Sequence, residues 1–218
     1  MPNRRNPKIM LKQFTNITAV LVICGSMLAG CMSAPVKKGN DHADNKAADM
    51  PLVTSDFKVS ASLKQRYVIA LEYMQSEDYR QAIKSMQKIA EEEPRISGPW
   101  INIAIAHRML GEEKEAESAI NKALELNPDN PFALNQAGII KREVGDFSAS
   151  EQMYKRALAE YPNYSNAHLN LAILCDLYLQ KIVCAKSHYQ AYQELSKESD
   201  KSVVAWMNDL DRRSANSK

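Results

Sequence analysis

The chain has 218 residues, 28 Lys and Arg against 26 Asp and Glu, and four Cys. Four of the basic residues, Arg4, Arg5, Lys8 and Lys12, sit at the very start, and without them the balance turns slightly acidic. That balance gives no footprint for nucleic acid, and the length suits one modest domain plus a tail.

No acid precedes Asp41. Residues 17–30, ITAVLVICGSMLAG, are apolar. Their uninterrupted part is shorter than the roughly 20 residues a membrane-spanning helix needs. A basic start, a short apolar centre and small residues at its end describe a secretory signal peptide, so residues 1–30 are excluded from the fold. LAGC at 28–31 resembles the lipobox of bacterial lipoproteins. That resemblance implies cleavage before Cys31 and acylation of Cys31, palmitate included, with several chains giving an anchor that one chain would not. Met32 rather than Asp follows. In enteric-type bacteria this implies sorting to the outer membrane, facing the periplasm. An ordinary signal peptide with a chance cysteine is the alternative.

From Met32 to about Ser60 the chain is polar, with Pro35, Gly39, Pro51 and charges of both signs. It cannot bury enough surface to offset ordering entropy, so residues 31–60 are expected to form a disordered tether. His42 is expected to be solvated there.

Pro94, Pro128 and Pro162 fall 34 residues apart. Blocks of 34 from Leu63 give four gapless units, 63–96, 97–130, 131–164 and 165–198. The columns agree chemically. Ala70, Ala104, Gly138 and Ala172 share one small-residue position, and Ala82, Ala116, Ser150 and Cys184 share another. Gly111 and Gly145 can supply a left-handed turn between two helices of a unit, and each proline stops the second helix. This pattern resembles the tetratricopeptide repeat, a helix–turn–helix unit of that length. The resemblance implies an all-α, right-handed α-solenoid of about four units. The first unit departs from it with Arg66 where an aromatic is usual, and the fourth lacks the turn glycine and the closing proline. Residues 199–214 are expected to form a capping helix: Asp200 can cap it, and Val203, Met207 and Leu210 share one face. A membrane-surface helix is disfavoured by its few basic residues.

His107, His168 and His188 occupy columns held by Tyr73, Trp100 and Tyr154 in other units, so packing rather than catalysis is expected of them. Cys175 and Cys184 flank the turn of the fourth unit symmetrically. They are the two thiols left once the signal is removed and Cys31 is acylated, in an oxidising compartment. A Cys175–Cys184 disulfide is expected, with two buried free thiols as the alternative. Zinc is disfavoured, since His168 and Cys175 stand about 10 Å apart along one helix and all ligands must lie about 2 Å from the ion. No metal and no cofactor are expected.

In tetratricopeptide domains the first helix of each unit lines a concave face. Carried over position by position, this implies a groove of Tyr67, Val68, Leu71, Ile101, Asn102, Ile105, Arg108, Asn135, Gln136, Ile139, Arg142, Leu169, Asn170 and Ile173. The amides could bond a peptide backbone, and the two arginines could pair with carboxylates. Packing of some apolar members against residues 52–62 is the alternative. The Lys/Asn set that grips a C-terminal carboxylate in some family members is missing, so an extended or helical protein segment is the expected ligand. No nucleophile–base pair, phosphate loop or metal set stands out, so no enzyme and no small-molecule substrate are expected. The resemblance implies an adaptor for envelope proteins. Examples are the pilotins of type IV pilus secretins, scaffolds for peptidoglycan-modifying enzymes, and parts of other trans-envelope machines. A structural homo-oligomer is the remaining alternative.

Overall fold

The structure, a computed structural model, describes residues 60–196 and 200–215. The expected signal peptide, Cys31 and the expected tether up to residue 59 lie outside the described residues. Nine α-helices follow in chain order, with no strand among the described residues. The first pairs are α1 (Ala61–Gln75) with α2 (Tyr79–Glu92), and α3 (Gly98–Met109) with α4 (Glu113–Leu126). Next come α5 (Pro131–Glu143) with α6 (Phe147–Glu160). The last pair is α7 (Ser165–Ile173), which runs into a π-helical turn at Leu174–Tyr178, with α8 (Ile182–Leu195). The final helix is α9 (Lys201–Ala215). Each helix packs on its neighbours in sequence, and the whole is a right-handed α-solenoid. None of these helices is long and apolar enough to cross a membrane.

Local chemistry sets the breaks. Ser60, Asp78 and Asp146 cap α1, α2 and α6 by accepting bonds from the main-chain N–H groups of Leu63, Gln81 and Ala149. Asn130 caps α5 through Phe132 N (2.9 Å) and Ala133 N (3.1 Å), and its Nδ2 donates to Ser97 Oγ (3.2 Å), tying the start of α5 to the start of α3. Caps of this kind contribute about 1 kcal/mol each. The turn inside each pair carries one left-handed residue: Glu77, Gly111, Gly145 and Gln180, with φ of 61°, 75°, 86° and 55°. Arg66, the departure in the first unit, holds α1 to α2 through Glu92 (Nη1–Oε1 2.6 Å).

The fourth unit departs from the strict period. The second helices begin at Tyr79, Glu113 and Phe147, and then at Ile182, one residue late. The π turn takes up the extra residue: Leu179 N donates to Leu174 O (3.0 Å), and Lys181 N to Cys175 O (2.8 Å). The gapless reading of 165–198 is therefore corrected. Ala185, not Cys184, falls in the buried small-residue column with Ala82, Ala116 and Ser150. Tyr189, not His188, is the counterpart of Tyr154. One extra residue turns α8 by about 100° relative to the expected register. That rotation carries His188 and Cys184 off the core-facing stripe.

Helix α9 closes the last pair. Val203 and Leu210 are buried, and Trp206 tilts against Tyr189 with ring centroids 5.7 Å apart. Asp200 caps it, as expected, by accepting from Ser202 N (2.8 Å) and Val203 N (3.3 Å). Arg213 pairs with Asp176 of the π turn, and Lys186 with Asp211.

Candidate peptide-binding face

The first helix of each pair contributes one apolar residue at the same position: Leu71, Ile105, Ile139 and Ile173. All four are partly exposed. This row runs across α1, α3, α5 and α7, so the solenoid turns a set of single residues into one apolar ladder. Val68 extends it at the open end and is 53 % exposed, while Leu169 is partly exposed beside it on α7.

Other expected groove residues lie elsewhere. Tyr67, Ile101, Asn102, Asn135 and Arg142 are buried, with Asn102 at 0 %, Asn135 at 1 % and Arg142 at 6 % exposure. They do not line an open face. The reason is register: position five of one unit meets position six of the next. Asn102 Nδ2 donates to Tyr67 Oη (2.7 Å) and to Gly98 O (3.1 Å). Asn170 Nδ2 donates to Asn135 Oδ1 (3.0 Å), and Asn135 Nδ2 reaches Tyr164 Oη (3.4 Å). These amides join repeats to one another. Burial pushes the Tyr67 phenol up, with the bond from Asn102 opposing, and pushes Tyr164 up to about 12, with Asn135 opposing. Gln136 Oε1 is buried with no partner among the described residues.

The two arginines differ. Arg108 Nη1 donates to Glu143 Oε1 (3.1 Å). Arg142 makes no such pair, and its Nε and Nη1 are buried without a hydrogen-bond partner among the described residues. Tyr154 Oη is likewise unpartnered. Burial pushes that phenol up to about 12, and the nearby charge of Arg142 pulls it back.

The histidines add polar contacts to their packing, and the His168 and His188 rings lie with centroids 5.1 Å apart. His107 Nδ1 lies 2.7 Å from Glu112 Oε2. Arg80 bonds to the same carboxylate and, with His107, holds it below the usual range. His168 Nδ1 lies 2.9 Å from His188 Nδ1, and His168 Nε2 lies 2.9 Å from Pro162 O. Among the described residues no group of three or more His, Cys, Asp or Glu could hold a metal. Cys175 and Cys184 are joined by a disulfide with Cα atoms 5.9 Å apart, within the range such bonds require. The link spans the turn between α7 and α8.

Sequence reasoning passed over Tyr154, Asp176 and Arg213. Asp176 shares a column with Arg108 and Arg142, and that column was the available signal.

A family model for the tetratricopeptide repeat matches residues 67–131 and 135–176. The human protein O-mannosyl-transferase TMTC3 is 38 % identical over 79 residues, which make up 34 % of this chain and 9 % of that protein. The chain thus spans only a small part of that relative. Among solved structures, PilF from Pseudomonas aeruginosa superposes with a TM-score of 0.64 at 24 % identity, over 71 % of this chain and 70 % of that one. The first repeat domain of Spaghetti (RPAP3), bound to an HSP90 peptide, gives a TM-score of 0.51 at 18 % identity, over 55 % of this chain and 95 % of that one. Both likenesses concern the fold.

Proposed function

We propose that this chain, whose core is a solenoid of tetratricopeptide repeats, is a non-enzymatic, lipid-anchored adaptor of the bacterial envelope. In this reading acylated Cys31 holds it at the periplasmic face of the outer membrane. The solenoid binds a segment of another envelope protein and supports the assembly or placement of that protein's complex. A secretin-type subunit, in the manner of a pilotin, is the leading client. The observation that carries the reading is the partly exposed ladder of Leu71, Ile105, Ile139 and Ile173, one residue per repeat on adjoining helices. Such a row suits a segment laid across the repeats, and the similar RPAP3 domain was solved with a peptide bound.

The test is photocrosslinking in cells. A photoreactive residue replaces Ile139 in the full-length lipoprotein, with Lys122 on α4 as the control position. Adducts of an envelope protein from position 139 alone support the adaptor reading, and their mass spectrum identifies the client. Peptidoglycan enzymes would make it a cell-wall scaffold. Adducts with the chain itself alone would replace the reading with a homo-oligomer.

A further inference from the structure

Five side chains carry buried polar atoms without a partner among the described residues: Asn102, Arg108, Gln136, Arg142 and Tyr154. Four of them lie on α3 and α5, the first helices of the two middle repeats. Arg142 is the extreme case, a guanidinium 6 % exposed with two of its nitrogens unpaired. A buried charge without a counter-charge is costly, so it calls for a specific cause.

The cause is visible in the columns. Arg108 finds its carboxylate on Glu143, in the next repeat. One repeat further on, Leu177 stands where Glu143 stood, so Arg142 has no equivalent acid. The acid nearest in the column, Asp176, is held by Arg213 from α9. Tyr154, on the adjoining α6, adds an unpartnered hydroxyl that senses the Arg142 charge.

We propose that Arg142 is the seat for an acidic side chain, Asp or Glu, of the segment that binds across the repeats. This rests on the adaptor reading and names the chemistry of its client. Its backbone stands three residues beyond Ile139 on α5 and so on the ladder's side of that helix, with the side chain buried in the free protein. Turning its outer torsions presents the planar fork to a carboxylate, which it can grip with two parallel bonds. The occupant therefore has apolar residues for Ile105, Ile139 and Ile173 and an acid at the Arg142 step.

The test uses the full chain on an array of random 15-residue peptides, together with overlapping peptides copied from residues 40–59, which contain Asp41, Asp44, Asp49 and Asp56. Asp and Glu should be enriched among the random peptides bound. Changing the acid of a bound peptide to its amide should weaken binding about tenfold or more, as expected for a lost charge-assisted pair. In Arg142→Gln the same change should matter less than about twofold. An Arg142→Met chain, checked by its melting curve, serves if the Gln variant does not fold. The acid-to-amide comparison on the natural chain needs no variant. Binding that ignores the acid, or discrimination that survives in Arg142→Gln, overturns the carboxylate seat and leaves the adaptor reading standing. Capture of the 40–59 peptides alone makes the occupant the chain's own segment and overturns the client carboxylate. If no peptide binds, the adaptor reading falls, and this inference with it.

Discussion

Gly138 stands where the other repeats have alanine, and the reason is one ring. A Cβ at Gly138 would lie 2.5 Å from Tyr154 Cε1 and 2.6 Å from Cδ1. The ring is itself buried and cannot step aside. Gly138→Ala should therefore cost about 1–3 kcal/mol by overpacking, despite the better helix propensity of alanine. Tyr154→Ile restores the residue that the second repeat carries at this position, Ile120. Combined with Gly138→Ala it should cost clearly less than the two single changes added together. Urea unfolding of the four chains measures the coupling, and strict additivity would contradict the clash.

The His168–His188 contact has a definite proton arrangement. Pro162 O only accepts, so His168 Nε2 donates to it, and neutral His168 Nδ1 must then accept from His188 Nδ1–H. Burial, helped by His168 and by Lys155 from α6, holds the His188 imidazole below its ordinary value. As pH falls the unfolded chain takes up this proton first, so stability is complete above about pH 6.5 and declines below it. The urea midpoint should fall between pH 7.5 and pH 5, and His188→Gln should reduce that slope. Equal slopes in both chains would remove His188 from the account.

The element that sets this protein apart from a plain repeat is the hairpin of α7 and α8. The missing turn glycine and closing proline marked this unit as irregular, but nothing in the sequence placed its one-residue insertion. The π turn uses Leu, Cys, Asp, Leu and Tyr rather than glycine or proline, and Gln180 takes the left-handed position. The pairing of Cys175 with Cys184 was legible, because two cysteines on either side of one turn are close in almost any hairpin. It survives the register shift since the link spans the insertion itself. Closing so short a loop contributes up to about 3 kcal/mol in the chain-entropy account. Cys175→Ala with Cys184→Ala should lower the guanidinium midpoint by a corresponding amount and make the chain indifferent to reductant. A natural chain that unfolds identically with and without dithiothreitol would contradict this. Asp176 adjoins Cys175 and holds Arg213, so the loss should be seen first as looser docking of α9, in faster amide exchange of Val203 and Leu210.

Across the whole molecule, the helices and their order were legible because the 34-residue period, the closing prolines and the small columns all state the same architecture. The proposed binding face was legible only in part. Column counting found the ladder of Leu71, Ile105, Ile139 and Ile173. It misassigned Asn102 and Asn135, because the partner of each lies 35 residues along the chain, off the column, and a straight column cannot show a diagonal. Arg142 was picked out for its charge, but its burial was not legible, and neither was the want of an acid one repeat on, where Leu177 takes the column of Glu143.

The two ends of the solenoid are not alike. At one end α1 packs on α2 and is bonded to α3 through Tyr67 and Asn102, and Val68 and Ile69 are 53 % and 41 % exposed. At the other, α9 is fastened by the Asp176–Arg213 pair and the Tyr189–Trp206 contact, and the hairpin beneath it is covalently closed. Stability in such a stack is carried by nearest neighbours. A load entering through α1 meets noncovalent contacts only and peels the repeats away one after another. The same load entering through α9 must first part the ion pairs of Arg213 and Asp211 and an aromatic contact, and at Cys184 it crosses to Cys175, so the turn between them is not drawn out. The described solenoid therefore resists tension unequally: its first helix is held by packing and hydrogen bonds, and its last by ion pairs and an aromatic contact over a covalently closed turn.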